Sequence, residues 1–216
     1  MLSYHCALSK SLRGTAIASV EVTPAPVEDV PATITEARRL AGVPAKAPLA
    51  LVGFSRGCQA VRSLLSERPS AVVTIDGTHS SWPPAAGHVE MWRDLAAEAR
   101  RGARLWIATC TRQTYVEHLP QPFASTVSVL EAATGIGLRV PELVRVVDGD
   151  LVVESHPSAS VDPGAHVRQV SEVLPRLVRE YLVPYLERVH DAPAPTLRPW
   201  ELPEVTLGLR CCAWLG

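Results

Sequence analysis

Three apolar runs, "LALVGF" at 49–54, "SAVVTIDG" at 70–77 and "ARLWIATCT" at 103–111, alternate with two stretches of helical spacing. A run without polar alternation suits a strand buried on both faces, and such strands belong to parallel sheets whose faces are covered by helices. Between the runs, "CQAVRSLLSERP" places Ala60, Val61, Leu64 and Leu65 at helical spacing, and "EMWRDLAAEARRG" is an amphipathic helix closed by Gly102. The order strand, helix, strand, helix, strand predicts right-handed crossovers and an α/β fold, an open and mostly parallel sheet with helices on both faces.

The flanking segments fit around that unit. Residues 15–22 read as a short strand, followed by the proline-rich turn region "TPAPVEDVP" and a helix from Thr33 to Leu40, with Thr33 as N-cap, Glu36 three residues on and Gly42 after its end. In "ELVRVVDGDLVVESH" (142–156), Asp148-Gly149 between apolar runs is a hairpin signal, and one of the two runs is expected to extend the main sheet. The segment "HVRQVSEVLPRLVREYLVPYLERV" (166–189) puts Val170, Val173, Leu174, Leu177, Val178, Tyr181 and Leu182 on one face, with Pro175 and Pro184 expected to kink or segment it. After His190, "DAPAPTLRPWELPE" has a linker's composition. One domain over 1–190 and a linker with a tail over 191–216 are therefore expected. A chain of 216 residues, 47% of them hydrophobic, can bury one sizeable core.

A formal net charge of −1 leaves no field to steer the chain towards nucleic acid or an anionic membrane surface. Arginine supplies 19 of the 21 basic residues, but these are scattered along the chain. Cys6, Cys58, Cys110, Cys211 and Cys212 are odd in number and form no C-x-x-C, so reduced thiols in a cytoplasm-like compartment are expected rather than a zinc knuckle or a disulfide framework. The amino terminus lacks a signal-peptide pattern, and no window approaches 18 uninterrupted apolar residues.

Chemistry concentrates at Gly53-Phe54-Ser55-Arg56-Gly57, where the first buried run meets its helix. A G-x-S-x-G at a strand-to-helix turn lifts a strained serine at the carboxyl edge of the sheet, where ligands bind in open α/β folds. A serine hydroxyl needs a base, and the base a third group to hold its tautomer. In "VDPGAHVRQV", His166 lies in a loop after the last strand as the closing helix begins, the place of the base in the chain order Ser, acid, His; His156 is the rival. For the acid, the third run ends in Thr109, Cys110 and Thr111 with Glu117 the nearest carboxylate, whereas the second ends at Asp76 on the edge that holds Ser55. Asp76 can also be read as an Asp-Gly turn former, and Asp162 is a further candidate. One oxyanion donor is expected at the Arg56 amide and the other near Cys6, in "LSYHCAL".

With "LVGFSRGCQAVR", "TIDGTHSSW", "PFASTVSVLEAATG" and "DPGAHVRQV", the chain resembles the α/β-hydrolase family, in particular compact bacterial and phage-encoded members, over residues 45–190. The resemblance implies a three-layer fold with Ser55 as nucleophile, His166 as base, Asp76 as acid and the "DGTHSS" loop lining the site together with Ser125 and Thr126. Three departures stand out: about 50 residues precede the elbow, so the family's first strands are expected to be absent; the usual acid is missing; and Cys6 replaces the oxyanion glycine. The end "TLGLRCCAWLG" is similar to the start of a second domain cut short, as in phage cell-wall-degrading proteins.

The expected function is that of a serine hydrolase cleaving an ester or related acyl bond of a small-molecule or cell-envelope substrate. No H-E-x-x-H, phosphate loop or dinucleotide fingerprint calls for a metal or an organic cofactor. The alternatives are a catalytically incomplete binding or phage-associated module and an acyltransferase using Cys58 or Cys110. The five tryptophans, Trp82 among them, can form either an acyl pocket or core.

Overall fold

The computed structural model describes residues 12, 15, 17, 19–22, 30–81, 85–111, 123–140, 142–157, 162–191 and 208–211. Strand β1 (Ser19–Val22) precedes helix α1 (Val30–Ala41) and strand β2 (Ala50–Phe54). Helix α2 (Gly57–Ser63), strand β3 (Ala71–Ile75), the short strand β4 (Ser80–Ser81), helix α3 (Ala86–Arg100) and strand β5 (Leu105–Thr111) follow. Then come β6 (Phe123–Ala124), α4 (Thr126–Thr134), β7 (Val144–Asp148), β8 (Leu151–His156), a long helix α5 over 163–191, and β9 (Gly208–Cys211). Seven strands form one sheet in the order β1-β9-β2-β3-β5-β8-β7. Every pairing in it is parallel except that of β7 with β8. The fold is of the α/β class, with a mostly parallel sheet covered by helices.

The apolar runs become strands because both of their faces are covered. All residues of β2, β3 and β5 are buried. Their alternation divides the core in two. One face carries Leu51, Val72, Trp106 and Val153 against Ile34, Val61, Trp92 and Leu130 of α1–α4. The other carries Val52, Val73, Ile107 and Val152 against Val170, Leu174, Leu177 and Leu186 of α5. Trp92 and Trp106 stack with centroids 5.4 Å apart inside the first core. These two tryptophans are therefore core, and Trp82 lies outside the described residues.

Several boundaries differ from the sequence reading for identifiable reasons. Helix α1 begins at Val30, before the expected cap Thr33, because Pro31 falls in its first turn, where a missing N–H leaves no bond unmade. Pro175 and Pro184 segment α5 as expected: each follows a π turn, Gln169–Val173 and Val178–Leu182, in which the helix rearranges around the absent proline donor without ending. The hairpin signal holds, with Asp148 opposite Leu151 and Gly149 at φ 63, and both of its runs join the sheet rather than one. Gly208–Cys211, from the stretch expected beyond the linker, pairs in parallel with β1 and with β2. Among the described residues, no helix is long and apolar enough to cross a membrane.

Candidate active site

The elbow is built by close packing on both sides of one strained residue. Ser55 has φ 51, in the left-handed region that a residue with a Cβ occupies at a cost of about 1–3 kcal/mol. Its N–H donates to the Ile75 carbonyl at 2.9 Å, and its carbonyl accepts from the Cys58 N–H at 3.0 Å, so the turn is tied to β3 behind it and to α2 ahead. A Cβ at Gly53 would stand 2.8 Å from Val61 Cγ2 and 3.0 Å from Cys58 Cα, which is why the helix can lie this close only over a glycine. A Cβ at Gly77 would stand 1.9 Å from the Ser55 carbonyl oxygen, so the loop after β3 presses on the elbow from the opposite side.

That loop begins with Asp76, at φ 50, whose N–H donates to the Thr109 carbonyl at 3.0 Å. Its carboxylate is fully buried and committed. Oδ1 accepts from the Thr111 N–H at 2.9 Å, and Oδ2 accepts from Thr111 Oγ1 at 2.8 Å and from His166 Nδ1 at 2.7 Å. His166 belongs to the first helical stretch of α5, Pro163–Arg168, rather than to the loop before it. Its ring stacks on Phe54, the residue before Ser55, with centroids 4.4 Å apart and planes 29° from parallel. Asp76 and Phe54 together fix the ring, and among the described residues Nε2 has no hydrogen-bond partner. Among the described residues, no hydrogen bond joins Ser55 Oγ to that ring. Arg56 stands at the N-cap position of α2 with its side chain exposed and making no capping bond, and among the described residues its amide donates to no backbone carbonyl.

The other candidates lie elsewhere. Asp162 precedes α5 but pairs with Arg168 at 2.5 Å, and that guanidinium holds its carboxyl below the usual range. His156 donates from Nε2 to Glu154 at 2.8 Å. Glu154 is itself fully buried between Arg145 and Arg176, each at 2.6 Å. Burial raises its pKa, but the hydrogen bonds from His156 and Arg176 outweigh it and hold the carboxyl at about 2. Cys58 and Cys110 are buried thiols, and burial pushes the Cys110 pKa far up, so Cys110 supplies no ready thiolate. Cys6 and Glu117 lie outside the described residues. Ser125 caps α4 by accepting from the Ser128 N–H at 3.3 Å, and the Thr126 carbonyl accepts from Thr78 Oγ1 at 3.3 Å. The Thr126 bond therefore braces the "DGTHSS" loop, as does the antiparallel pairing of β4 with β6.

Four residues around the site carried no signal in the sequence reading beyond membership of a segment: Thr111, Gln59, Arg62 and His79. Gln59 Nε2 donates to the carbonyls of Gly77 and His79, at 3.0 and 2.9 Å. Arg62 Nη1 donates to His88 Nδ1 at 3.0 Å, and Ser80 Oγ lies 2.8 Å from the same nitrogen. His79 has its pKa lowered by burial and by Arg62 against the opposing pull of Asp76, with His166 and Arg56 adding to the depression. His88 is lowered by burial and by Arg62. Gln59 and Arg62 stand four and seven residues after Ser55, one helical stripe running back from the elbow, and that spacing is the signal that could have found them. Among the described residues, no group of three His, Cys, Asp or Glu side chains is arranged to hold a metal ion. No family model, curated protein or solved structure matches the chain.

Proposed function

We propose that the chain is a serine hydrolase of the α/β-hydrolase type, cleaving an ester or related acyl bond with Ser55, His166 and Asp76. The observation that carries this reading is the buried Asp76–His166 hydrogen bond at the sheet edge where Ser55 sits in a left-handed turn. In the proposed reaction Ser55 Oγ attacks the acyl carbon and His166 Nε2 takes its proton. Asp76, loaded by Thr111 and facing Nδ1, holds the tautomer and stabilises the imidazolium. The Arg56 amide donates to the oxyanion, with Cys6 proposed as the second donor. His166 then protonates the leaving alcohol, and water attacks the acyl-enzyme with the same base.

Steady-state hydrolysis of 4-nitrophenyl butyrate tests the reading. Wild type is expected to turn the ester over, with a loss on the order of 10⁴-fold or more in Ser55→Ala and in His166→Gln. Equal rates in all three folded proteins would refute it. A second reading, a binding module on the same scaffold, draws on the fact that no hydrogen bond among the described residues joins Ser55 Oγ to His166; it predicts a folded wild type without turnover.

A further inference from the structure

The loop after β3 carries Asp76 and, one residue on, Gly77, and the proposed reaction needs that loop in one place. A Cβ on Gly77 would stand 1.9 Å from the Ser55 carbonyl oxygen, so the two backbones already touch. Such contact resists closer approach strongly and separation only weakly. The hold against separation comes from α2. Gln59, one helical turn after Ser55, donates from its amide nitrogen into the loop twice, to the Gly77 carbonyl at 3.0 Å and to the His79 carbonyl at 2.9 Å. Other bonds of the loop run away from the elbow, from the Asp76 N–H to the Thr109 carbonyl and from the Thr78 hydroxyl to the Thr126 carbonyl. The Ser55 N–H holds Ile75, the last residue of β3, but not the residues beyond it.

The Gln59 amide is itself oriented. Its Oε1 accepts from Arg62 Nη1, which also donates to His88 Nδ1 at 3.0 Å. A guanidinium only donates, so Oε1 must face Arg62 and the –NH2 must face the loop; the flipped amide would set –NH2 against the guanidinium and an oxygen against two carbonyls. Burial and Arg62 lower the His88 pKa and so keep its Nδ1 an acceptor.

We propose that Gln59, oriented by Arg62, is a positioning residue of the site: it draws the loop after β3 onto the elbow and so sets where the Asp76 carboxylate meets His166, now 2.7 Å from Nδ1. This rests on the hydrolase reading for its effect on rate, but not for its effect on the Asp76–His166 bond. Gly77 is the stop that keeps the loop from coming closer, and Gln59 is the tie that keeps it from lifting.

The test uses Gln59→Leu, which keeps bulk but removes the amide, and Gln59→Glu, which keeps an acceptor for Arg62 but removes both donors to the loop. Two quantities are read: hydrolysis of 4-nitrophenyl butyrate, and the low-field proton NMR resonance of His166 Nδ1–H, identified by its loss in His166→Gln. In both variants kcat is expected to fall about tenfold to 10²-fold, as for a reacting group displaced by up to about 1 Å, with KM within about twofold and the resonance moved upfield. A lower Tm with wild-type kcat marks a merely structural role and overturns the proposal, as does a rise in KM alone. If wild type does not turn the ester over, the hydrolase reading fails instead and the resonance decides. Present in wild type and shifted or lost in both variants, it supports the positioning role; unchanged in both, or absent from wild type, it overturns it. Gln59→Glu, which keeps the contact with Arg62, holds the comparison open should Gln59→Leu not fold.

Discussion

Replacing Gly77 by alanine tests whether the loop after β3 and the serine turn are locked together as rigidly as their packing implies. The new Cβ would stand 1.9 Å from the Ser55 carbonyl oxygen, 2.6 Å from its carbonyl carbon and 2.7 Å from its Cα. It would lie about 1.5 Å inside ordinary contact with backbone that no rotamer change can move aside. Either the loop or the elbow must shift, and both are held: the Ser55 carbonyl by the Cys58 N–H, and the Gly77 and His79 carbonyls by Gln59. Overpacking of this kind costs about 1–3 kcal/mol, and for a domain of this size each kcal/mol lowers Tm by about 2–4 °C. A displacement near 1 Å at the nucleophile costs about 10²-fold in rate. Gly77→Ala is therefore expected to lower Tm by several degrees and kcat/KM on 4-nitrophenyl butyrate by about 10²-fold. Gly87→Ala in α3 is the control: nothing lies within 4 Å of its Cβ, and it is expected to be neutral or to stabilise by about 0.5–1 kcal/mol. A Gly77→Ala protein with wild-type Tm and wild-type turnover would refute the reasoning.

Further expectations concern the anchors of the site. Asp76→Asn should fold, because its Oδ1 can still accept from the Thr111 N–H, but should lose about 10⁴-fold in kcat when the amide meets His166 Nδ1 and disfavours the working tautomer; steady-state kinetics beside circular dichroism check this. Phe54→Leu keeps an apolar side chain but removes the stack on His166, worth about 0.5–1.5 kcal/mol, and should lower kcat/KM roughly two- to tenfold with little change in KM. Glu154→Gln leaves Arg145 and Arg176 without their buried counter-charge and should destabilise by about 3 kcal/mol in urea titration at pH 7. Because the Glu154 pKa falls from 4.5 to about 2 on folding, its contribution is complete above pH 5 and is lost as the pH falls towards 2; the acid sensitivity of wild type in that window should be smaller in Glu154→Gln.

What was legible in the sequence follows from what leaves a local trace. Strands buried on both faces announce themselves as continuous apolar runs, and β2, β3 and β5 fall where "LALVGF", "SAVVTIDG" and "ARLWIATCT" place them. The buried face of α5 could be read residue by residue from Val170 to Leu182, whereas the π turns before Pro175 and Pro184 could not, since spacing alone does not say whether a helix breaks or widens at a proline. Around the site, residues at strand ends were visible because topology places strand ends together: Asp76 meets His166, not Asp162, because β3 stops beside the first turn of α5 while Arg168 claims Asp162. The rest depends on contacts between distant segments. Nothing local marks Gly77 as the residue pressed on Ser55, Thr111 as the donor pair on Asp76, or Gln59 as the anchor of the Gly77 and His79 carbonyls; each becomes meaningful only once α2, the 76–80 loop and the end of β5 are brought within a few ångströms.

The most direct measurement is labelling with a fluorophosphonate probe, followed by peptide mapping of the adduct. If Ser55 is a nucleophile activated by His166 and Asp76, wild type acquires one phosphonyl group on Ser55, and labelling disappears in Ser55→Ala and drops sharply in His166→Gln. A folded wild type that stays unlabelled, or an adduct on any serine other than Ser55, would contradict the account.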